Sequence, residues 1–364
     1  MVTPGQVLAV VTALASAGVV FAAQTPAAGE DPHRRLFSLG DFHLESGVIL
    51  PNAKVSYATF GTLNAQRDNA ILVPSWYGSD HHGYDFLIGA GRALDPAKYF
   101  IVATEMFANG FSSSPSNTAP PFDRARFPAI AVRDNVAAAH TLLTTELRVA
   151  HLRAIVGFSM GAQQAFQWAV SHPDFVDVIV PYCGTAKTYP HGLVRLESAI
   201  AALTADAAFN NGDYTAPPVK GLTAWAHHWS AWVTSQEWWR RELFKPDFAT
   251  PAAALQAEVD RQMARDPNNM ISQARTWQRH NVGDTPGFGG DHEKALRAIR
   301  ARVLYMPSQT DLYFPAGDAE YESRFISNVK FLPIPSLWGH RAGAGRNQAD
   351  IEFLNTQIGR ALQR

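Results

Sequence analysis

Short apolar runs alternate along the chain with segments in which apolar residues recur every three or four positions. The short runs predict seven strands, at residues 48–61, 69–76, 98–107, 152–158, 175–183, 301–308 and 328–335. The helically spaced segments lie at residues 132–147, 159–173 and 347–362. Strands that alternate with helices favour an α/β fold, in which a mostly parallel sheet is flanked by crossover helices.

This alternation stops after Gly184. Residues 185–300 have a mainly helical pattern, so we predict a helical cap inserted into a core of residues 36–184 and 301–364. Five of the nine tryptophans fall in the insertion: Trp225, Trp229, Trp232, Trp238 and Trp239. The first three are spaced four and three residues apart, which places them on one face of a helix. This face either packs between the cap and the sheet or lines an apolar substrate cavity, and the two roles are compatible.

The N-terminal segment has no charged residue from Val7 to Ala23. This run is short for a membrane span of about 20 residues, and small residues follow Phe21 at a position suited to signal peptidase. We therefore predict a cleaved signal peptide at 1–23, a linker at 24–35 and an exported protein, periplasmic or secreted. An uncleaved anchor and a disordered leader are the alternatives. After cleavage, no stable membrane insertion is expected.

The composition is that of a globular protein. Of its 364 residues, 46% are hydrophobic and 17% are charged, and the formal net charge is -1. This balance gives no electrostatic reason to expect nucleic acid or an anionic membrane surface as a partner. The single cysteine, Cys183, cannot form an intrachain disulfide or build a thiolate metal site alone. Its apolar neighbours predict a structural role at the buried end of a strand.

The stretch GFSMG, residues 157–161, lies where a predicted strand gives way to a predicted helix. In this G-x-S-x-G pattern a sharp, strained turn presents the serine hydroxyl above the carboxyl end of a sheet. Side chains two positions before or after the serine would collide with the neighbouring strand and helix, which explains the glycines. We predict that Ser159 is a catalytic nucleophile. The alternative is a tight turn with an incidental serine.

A serine nucleophile needs a base, and the base needs an orienting carboxylate. Proteins with this serine motif carry the triad in the chain order serine, acid, histidine. Asp311 and His340 follow the last two predicted strands, so both lie at the sheet edge that carries Ser159. Asp318 is a rival acid, but it falls at a helix start, where a carboxylate is common. We predict that Ser159, His340 and Asp311 form the triad.

The charge that develops on the substrate oxygen needs two backbone N–H donors. Met160, directly after the serine, is the first predicted donor. The second comes from the end of the run 69–76 and the loop that continues it, where Trp76 and Tyr77 are the candidates and Trp76 is our choice; packing alone is the other role for Trp76. The predicted substrate pocket consists of Tyr77, Phe158, Trp225 and Trp229.

Two histidine pairs invite a metal interpretation, His81-His82 and His227-His228. Neither pair lies in a ligand motif such as H-E-x-x-H, and adjacent residues point to different sides of a helix or strand. The chain also lacks the glycine-rich loops that bind nucleotide phosphates. We predict no catalytic metal and no cofactor.

Several motifs resemble those of the homoserine O-acetyltransferase family of α/β-hydrolase-fold proteins. The segments GFSMGAQQAFQWA, FPAIAVRDNVAAAHTLL and DPNNMISQARTWQRHNVG are similar to that family's nucleophile, core-helix and cap-helix motifs, and PSQTDLYFP and WGHRA to its acid and histidine loops. The resemblance implies an α/β-hydrolase fold with a helical cap, a triad of Ser159, Asp311 and His340, and a homodimer. For a homoserine carboxylate it leaves only Arg240, Arg241 and Arg279 as candidates.

The departures from that family bear on the acyl acceptor. Phe158 stands where those transferases have glycine, and Ala162-Gln163 where they have Gly-Met. Acetyl-CoA is a cytosolic donor, whereas this chain has the features of an exported protein. We therefore predict an esterase-like serine hydrolase that cleaves an ester or a related acyl bond of a small molecule and passes the acyl group to water. An O-acyltransferase that uses acetyl-CoA is the first alternative, and a non-catalytic binding protein is the second.

Overall fold

The computed structural model describes residues 31–363. The predicted signal peptide, residues 1–23, and residues 24–30 of the predicted linker lie outside this described part. Residues 31–34 form a short turn, closed by a hydrogen bond of 3.1 Å from the Arg34 amide to the Asp31 carbonyl. No helix within residues 31–363 has the length and apolar character that a membrane crossing requires.

One sheet forms the centre of the fold. Its eight strands are β1 (Arg35–His43), β2 (Ile49–Phe60), β3 (Ala70–Pro74), β4 (Phe100–Thr104), β5 (Leu152–Phe158), β6 (Val176–Tyr182), β7 (Arg302–Tyr305) and β8 (Val329–Phe331). They are arranged in the order β1-β2-β4-β3-β5-β6-β7-β8. β2 pairs antiparallel with β1 and β4, and the other neighbours pair in parallel. The predicted α/β fold with a mostly parallel sheet is confirmed, and all seven predicted strands are present.

β1 is a strand that the apolar pattern did not predict. It lies at the edge of the sheet, and none of its side chains is fully buried. An edge strand with two partly solvated faces needs neither a continuous apolar run nor strict alternation. Its sequence therefore has no clear strand signal, although it pairs with β2 from Arg35 to His43.

Ten α-helices complete the described part of the chain. They are α1 (Val132–Thr141), α2 (Met160–Ser171), α3 (Pro190–Thr204), α4 (Val219–Val233), α5 (Gln236–Arg240), α6 (Pro251–Met263), α7 (Pro267–Gln278), α8 (His292–Arg297), α9 (Ala316–Ser323) and α10 (Gln348–Gln363). We call α3 to α8, which lie between β6 and β7, the cap helices. Their position agrees with the helical pattern of residues 185–300, while the exact division of the chain into core and cap stays a prediction.

Apolar side chains cover both faces of the sheet. Alternate residues of β5 point to opposite faces, so Ile155 packs with α2 residues such as Phe166, whereas Val156 packs with Leu354 of α10. A third cluster, rich in aromatic rings, lies between the cap helices and the carboxyl end of the sheet. Cys183 is buried directly after β6, as predicted, and burial raises the pKa of its thiol.

Candidate active site

Ser159 lies in a strained turn between β5 and α2. Its backbone has φ of 56° and ψ of -122°, in the positive-φ range that non-glycine residues rarely adopt. A Cβ on Gly157 would lie 2.1 Å from the Gly161 carbonyl oxygen, and one on Gly161 would lie 2.5 Å from the Pro74 carbonyl oxygen. These distances are far below van der Waals contact and confirm the steric reason for both glycines.

A buried tyrosine, Tyr84, stabilises the turn at Ser159 through two hydrogen bonds to the backbone. Its hydroxyl donates to the Pro74 carbonyl at 2.7 Å and accepts from the Phe158 amide at 3.1 Å. Burial raises the pKa of the hydroxyl, so it keeps the proton that it donates. Tyr84 therefore links the end of β3 to the end of β5, one residue before the serine. Sequence reasoning missed it because it lies in a short 3-10 helix, His81–Tyr84, with no motif around it.

The structure brings the three predicted triad side chains together. His340 Nε2 lies 2.9 Å from Ser159 Oγ, and His340 Nδ1 lies 2.7 Å from Asp311 Oδ2. All three residues are buried, with between 2% and 6% of their surface exposed. This geometry allows the imidazole to accept the serine proton while the carboxylate holds its other nitrogen.

Backbone amides orient the carboxylate. Asp311 Oδ1 accepts from the amides of Tyr313 at 2.7 Å and Phe314 at 3.2 Å, which leaves Oδ2 directed at His340. The rival acid, Asp318, lies in the first turn of α9 and has no hydrogen bond to His340. Its position at the helix start agrees with the sequence pattern, and burial raises its pKa.

Aromatic rings and a tight turn hold the histidine. The Phe158 ring is stacked on the His340 ring at a centroid distance of 4.8 Å, and the Tyr313 ring lies at the same distance. His340 belongs to a 3-10 helix, Gly339–Gly343, that follows the last strand. At Gly339 φ is 60°, and a Cβ there would lie 2.7 Å from the Ser235 backbone nitrogen. Glycine thus lets the histidine loop approach the cap segment closely.

The predicted oxyanion donors have unused amides. Met160 is the first residue of α2, so its N–H has no acceptor within the helix. Within residues 31–363, neither this amide nor that of Trp76 donates to another protein group. The Tyr77 amide is equally unused, so the choice of Trp76 over Tyr77 stays a prediction.

A cavity of about 660 Å³ opens onto Ser159 and His340. Its apolar lining includes the aromatic residues Trp76, Tyr77, Phe86, Phe111, Phe158, Trp229, Trp277 and Tyr313. Its remaining lining includes the charged residues Asp80, Asp85, Glu258, Arg261, Arg265, Arg341 and Arg346. The cavity therefore has an aromatic wall and a charged part, which is the usual character of a small-molecule site.

Three of the four predicted pocket residues line this cavity: Tyr77, Phe158 and Trp229. The prediction for Trp225 was wrong. Its side chain is fully buried behind the lining, with its ring stacked 6.3 Å from Tyr77 and 5.7 Å from Trp229. Helical spacing placed Trp225 and Trp229 on one face, but spacing alone cannot show which of two neighbours reaches the cavity surface.

The arginines proposed for a carboxylate do not line the cavity. Arg240 and Arg241 both pair with the carboxylate of Glu237, and Arg279 donates to the Arg275 carbonyl at 3.0 Å. Gln163 likewise lies away from the cavity surface, where its amide donates to Thr188 Oγ1 at 3.2 Å. Of the two departures near the serine, only Phe158 faces the cavity.

The histidine pair 81–82 differs from the sequence expectation in one respect. The two rings lie only 4.2 Å apart, so adjacency in a 3-10 turn does not separate them as a helix or strand would. His81 Nδ1 lies 2.7 Å from Glu105 Oε1, and both side chains are fully buried. Asp80, His81 and Glu105 have potential ligand atoms within 4.8 Å of one another, but the short His81–Glu105 contact is that of a hydrogen-bonded pair. The absence of a catalytic metal stays a prediction.

Comparisons with known proteins agree with this arrangement. A family model described as the alpha/beta hydrolase fold matches residues 71–342. The chain is 37% identical over 335 residues to an ethyl acetate hydrolase from Pseudomonas veronii, covering 90% of this chain and 95% of that protein. It is 30% identical over 357 residues to a homoserine O-acetyltransferase from Symbiobacterium thermophilum, covering 88% and 91%. Among solved structures, an acetylester hydrolase from Corynebacterium glutamicum superimposes with a TM-score of 0.88 at 33% identity, covering 91% and 96%.

Proposed function

We propose, because this chain belongs to the α/β hydrolase fold family and is an ester-cleaving serine hydrolase, that it hydrolyses esters of short acyl groups through Ser159, His340 and Asp311. The observation that carries the proposal is the hydrogen-bonded chain from Ser159 Oγ through His340 to Asp311 at the base of the cavity. We expect the reaction to proceed through an acyl-enzyme intermediate in two half-reactions.

In the first half-reaction, Ser159 Oγ attacks the ester carbonyl as its proton passes to His340 Nε2. Asp311 Oδ2 holds the Nδ1 proton, which leaves Nε2 free to act as the base and stabilises the imidazolium that forms. His340 then gives its proton to the departing alkoxide, and the acyl group remains on Ser159. In the second half-reaction, His340 activates a water molecule that releases the acid and restores the serine.

The developing oxyanion needs donors that are already in place. The free amides of Met160 and Trp76 are the proposed donors, and the N-terminus of α2 adds a favourable partial positive charge. Such donors act without reorganisation, and removing one of them typically reduces turnover by about 10²- to 10³-fold. Both amides belong to well-packed segments. Met160 begins α2, and Trp76 lies two residues after the end of β3 with its ring packed edge-on against Tyr84 and Phe158 at 4.9 Å.

Short acyl groups are favoured by two observations. The Trp76 and Phe158 rings pack edge-on at 4.9 Å and both line the cavity onto which Ser159 opens, and two similar proteins are named as an ethyl acetate hydrolase and an acetylester hydrolase. The cavity of about 660 Å³ is larger than a short acyl group requires, so its remaining volume accommodates the alcohol portion of the ester. We infer a substrate with a short acyl group and a variable alcohol.

The test uses 4-nitrophenyl esters of increasing acyl length, from acetate to octanoate, with the purified protein. We expect kcat/KM to be highest for acetate or propionate and to fall with chain length. In Ser159→Ala, turnover should vanish while the thermal unfolding midpoint stays close to that of the parent. A higher kcat/KM for octanoate would contradict the acyl preference, and retained turnover in Ser159→Ala would contradict the nucleophile.

An acyltransferase is the second candidate function, since the chain shares 30% identity with a homoserine O-acetyltransferase over most of both lengths. Phe158, whose ring faces the cavity where the resembling transferases have glycine, favours water as the acceptor. The two functions are separated by measuring product release from 4-nitrophenyl acetate, and from acetyl-CoA, with and without homoserine. Ester hydrolysis without any acceptor supports the esterase. Turnover that requires homoserine supports the transferase.

We also propose export from the cytoplasm, on the basis of the uncharged segment from Val7 to Ala23. Cell fractionation followed by N-terminal sequencing of the full-length product tests this. Recovery outside the cytoplasm with a new N-terminus near residue 24 is the expected result. An intact N-terminus in the cytoplasmic fraction would refute it.

A further inference from the structure

Arg195, on the cap helix α3, is a buried charged residue. Only 3% of its surface is exposed. Within residues 31–363, none of its three guanidinium nitrogens has a hydrogen-bond partner. Buried charges in proteins are normally paired or hydrogen-bonded, because an uncompensated one is costly. An arginine in this state requires another source of stabilisation.

That stabilisation comes from aromatic rings. The Arg195 Cζ lies 3.8 Å from the centroid of the Tyr313 ring, 4.7 Å from that of Trp277 and 5.7 Å from that of Trp229. These distances are within the range of cation–π attraction, which strengthens when the cation is removed from water. Burial lowers the pKa of Arg195, and Tyr313 and Asp311 oppose that change. The ring of Tyr313 is its closest aromatic contact.

Tyr313 connects this cation to the catalytic groups. Its amide donates to Asp311 Oδ1 at 2.7 Å, and its ring lies 4.8 Å from the ring of His340. Its hydroxyl donates to the Trp229 carbonyl of α4 at 3.2 Å. A shift of Tyr313 would therefore move both a donor to the catalytic carboxylate and a packing surface of the catalytic histidine.

We propose that Arg195 is a positioning residue, whose guanidinium holds Tyr313 in place and so keeps Asp311 and His340 aligned with Ser159. Arg195 does not line the cavity, so it acts on turnover and not on substrate binding. The proposal rests on the catalytic roles given to the triad above. It also assigns a function to the cap helices, because one of their residues completes the support of the acid loop.

The test is a double-mutant cycle between Arg195 and Tyr313, with 4-nitrophenyl acetate as substrate. In the parent, Arg195→Met should lower kcat between about 10-fold and 100-fold, because small misalignments of catalytic groups have effects of this size. KM should change by less than about twofold, since uniform binding is untouched. In a Tyr313→Leu background the same Arg195→Met change should alter kcat by less than about twofold, since the ring through which it acts is absent.

Arg195→Lys is the conservative control. Lysine keeps a cation near the ring but lacks the planar group, so its kcat should lie between those of the parent and Arg195→Met. Near-UV circular dichroism and the thermal unfolding midpoint show whether each variant is folded. Where Arg195→Met does not fold, the cycle is run with Arg195→Lys and should show the same dependence on Tyr313.

Three results would overturn the proposal: kcat unchanged in a folded variant, an effect confined to KM, or effects of Arg195 and Tyr313 that simply multiply. The Ser159→Ala measurement separates this failure from failure of the proposed function. If Ser159→Ala is inactive but the cycle is multiplicative, the triad stands and only the role of Arg195 is wrong.

Discussion

The substitution Tyr84→Phe tests how the serine turn is held. β3 pairs with β5 at Ile71 with Ala154 and at Leu72 with Ile155. Beyond these pairs, the Tyr84 hydroxyl lies between the Pro74 carbonyl and the Phe158 amide and replaces a direct strand-to-strand bond. This spacer leaves room for α2, because Gly161 approaches the Pro74 carbonyl more closely than a side chain would allow.

Phenylalanine keeps the ring and removes only the hydroxyl. It leaves one buried donor and one buried acceptor without their partner. Each buried polar group that loses its hydrogen bond costs about 1–3 kcal/mol, so for the two groups we expect a loss of about 2–6 kcal/mol in the free energy of unfolding. Because the amide of Phe158 lies next to Ser159, kcat should also fall, by about tenfold or more.

The assay is urea unfolding followed by fluorescence, together with kcat on 4-nitrophenyl acetate. Tyr321→Phe is the matched control, since Tyr321 is exposed and its hydroxyl donates to the partly exposed Glu293. That variant should lose less than about 0.5 kcal/mol and keep its kcat. A Tyr84→Phe variant with a loss below about 0.5 kcal/mol and unchanged kcat would show that the strands close up directly, which would refute the spacer role.

Two further substitutions address the site and its pH dependence. Asp311→Asn should lower kcat/KM by about 10³- to 10⁴-fold without unfolding the protein, because the amide presents a donor to His340 Nδ1 and favours the wrong tautomer. Asp318→Asn is the matched control and should retain activity. If Asp318→Asn loses activity and Asp311→Asn keeps it, Asp318 is the acid. Burial raises the pKa of Glu322 from 4.5 to about 7, so the parent should lose about 3 kcal/mol of stability as pH rises between these values. Urea unfolding of Glu322→Gln at pH 5 and pH 8 should show that this decrease is absent. An equal decrease in both proteins would exclude Glu322 as its source.

Sequence patterns identified the turns and strands that depend on residues close together in the chain. The turn at Ser159 needs glycines on both sides, and the clash distances at Gly157 and Gly161 explain why that pattern is readable in a single chain. Central strands such as β5 are buried on both faces and so appear as continuous apolar runs. The edge strand β1 has no such burial, and its sequence carried no comparable signal.

Residues whose role depends on distant neighbours were missed or misplaced. Tyr84 lies 74 positions before Phe158, which its hydroxyl contacts. Arg195 was not distinguished from any other helical arginine, since only folding places it against Tyr313. Trp225 and Trp229 share a helix face, yet only Trp229 reaches the cavity, because Tyr77 and its neighbours cover the other ring.

Sequence patterns were enough to predict seven of the eight strands, the turn at Ser159 and the succession of serine, acid and histidine, because each of these depends on spacing within a short segment or on chain order. Only the folded structure reveals the hydrogen bonds that join Ser159, His340 and Asp311, the rings that line the cavity and the aromatic rings around Arg195. Ser159 and His340 are 181 positions apart in the chain, yet their side chains lie 2.9 Å apart, and Arg195 lies 3.8 Å from the ring of Tyr313. Contacts between such distant segments form only when the whole chain packs.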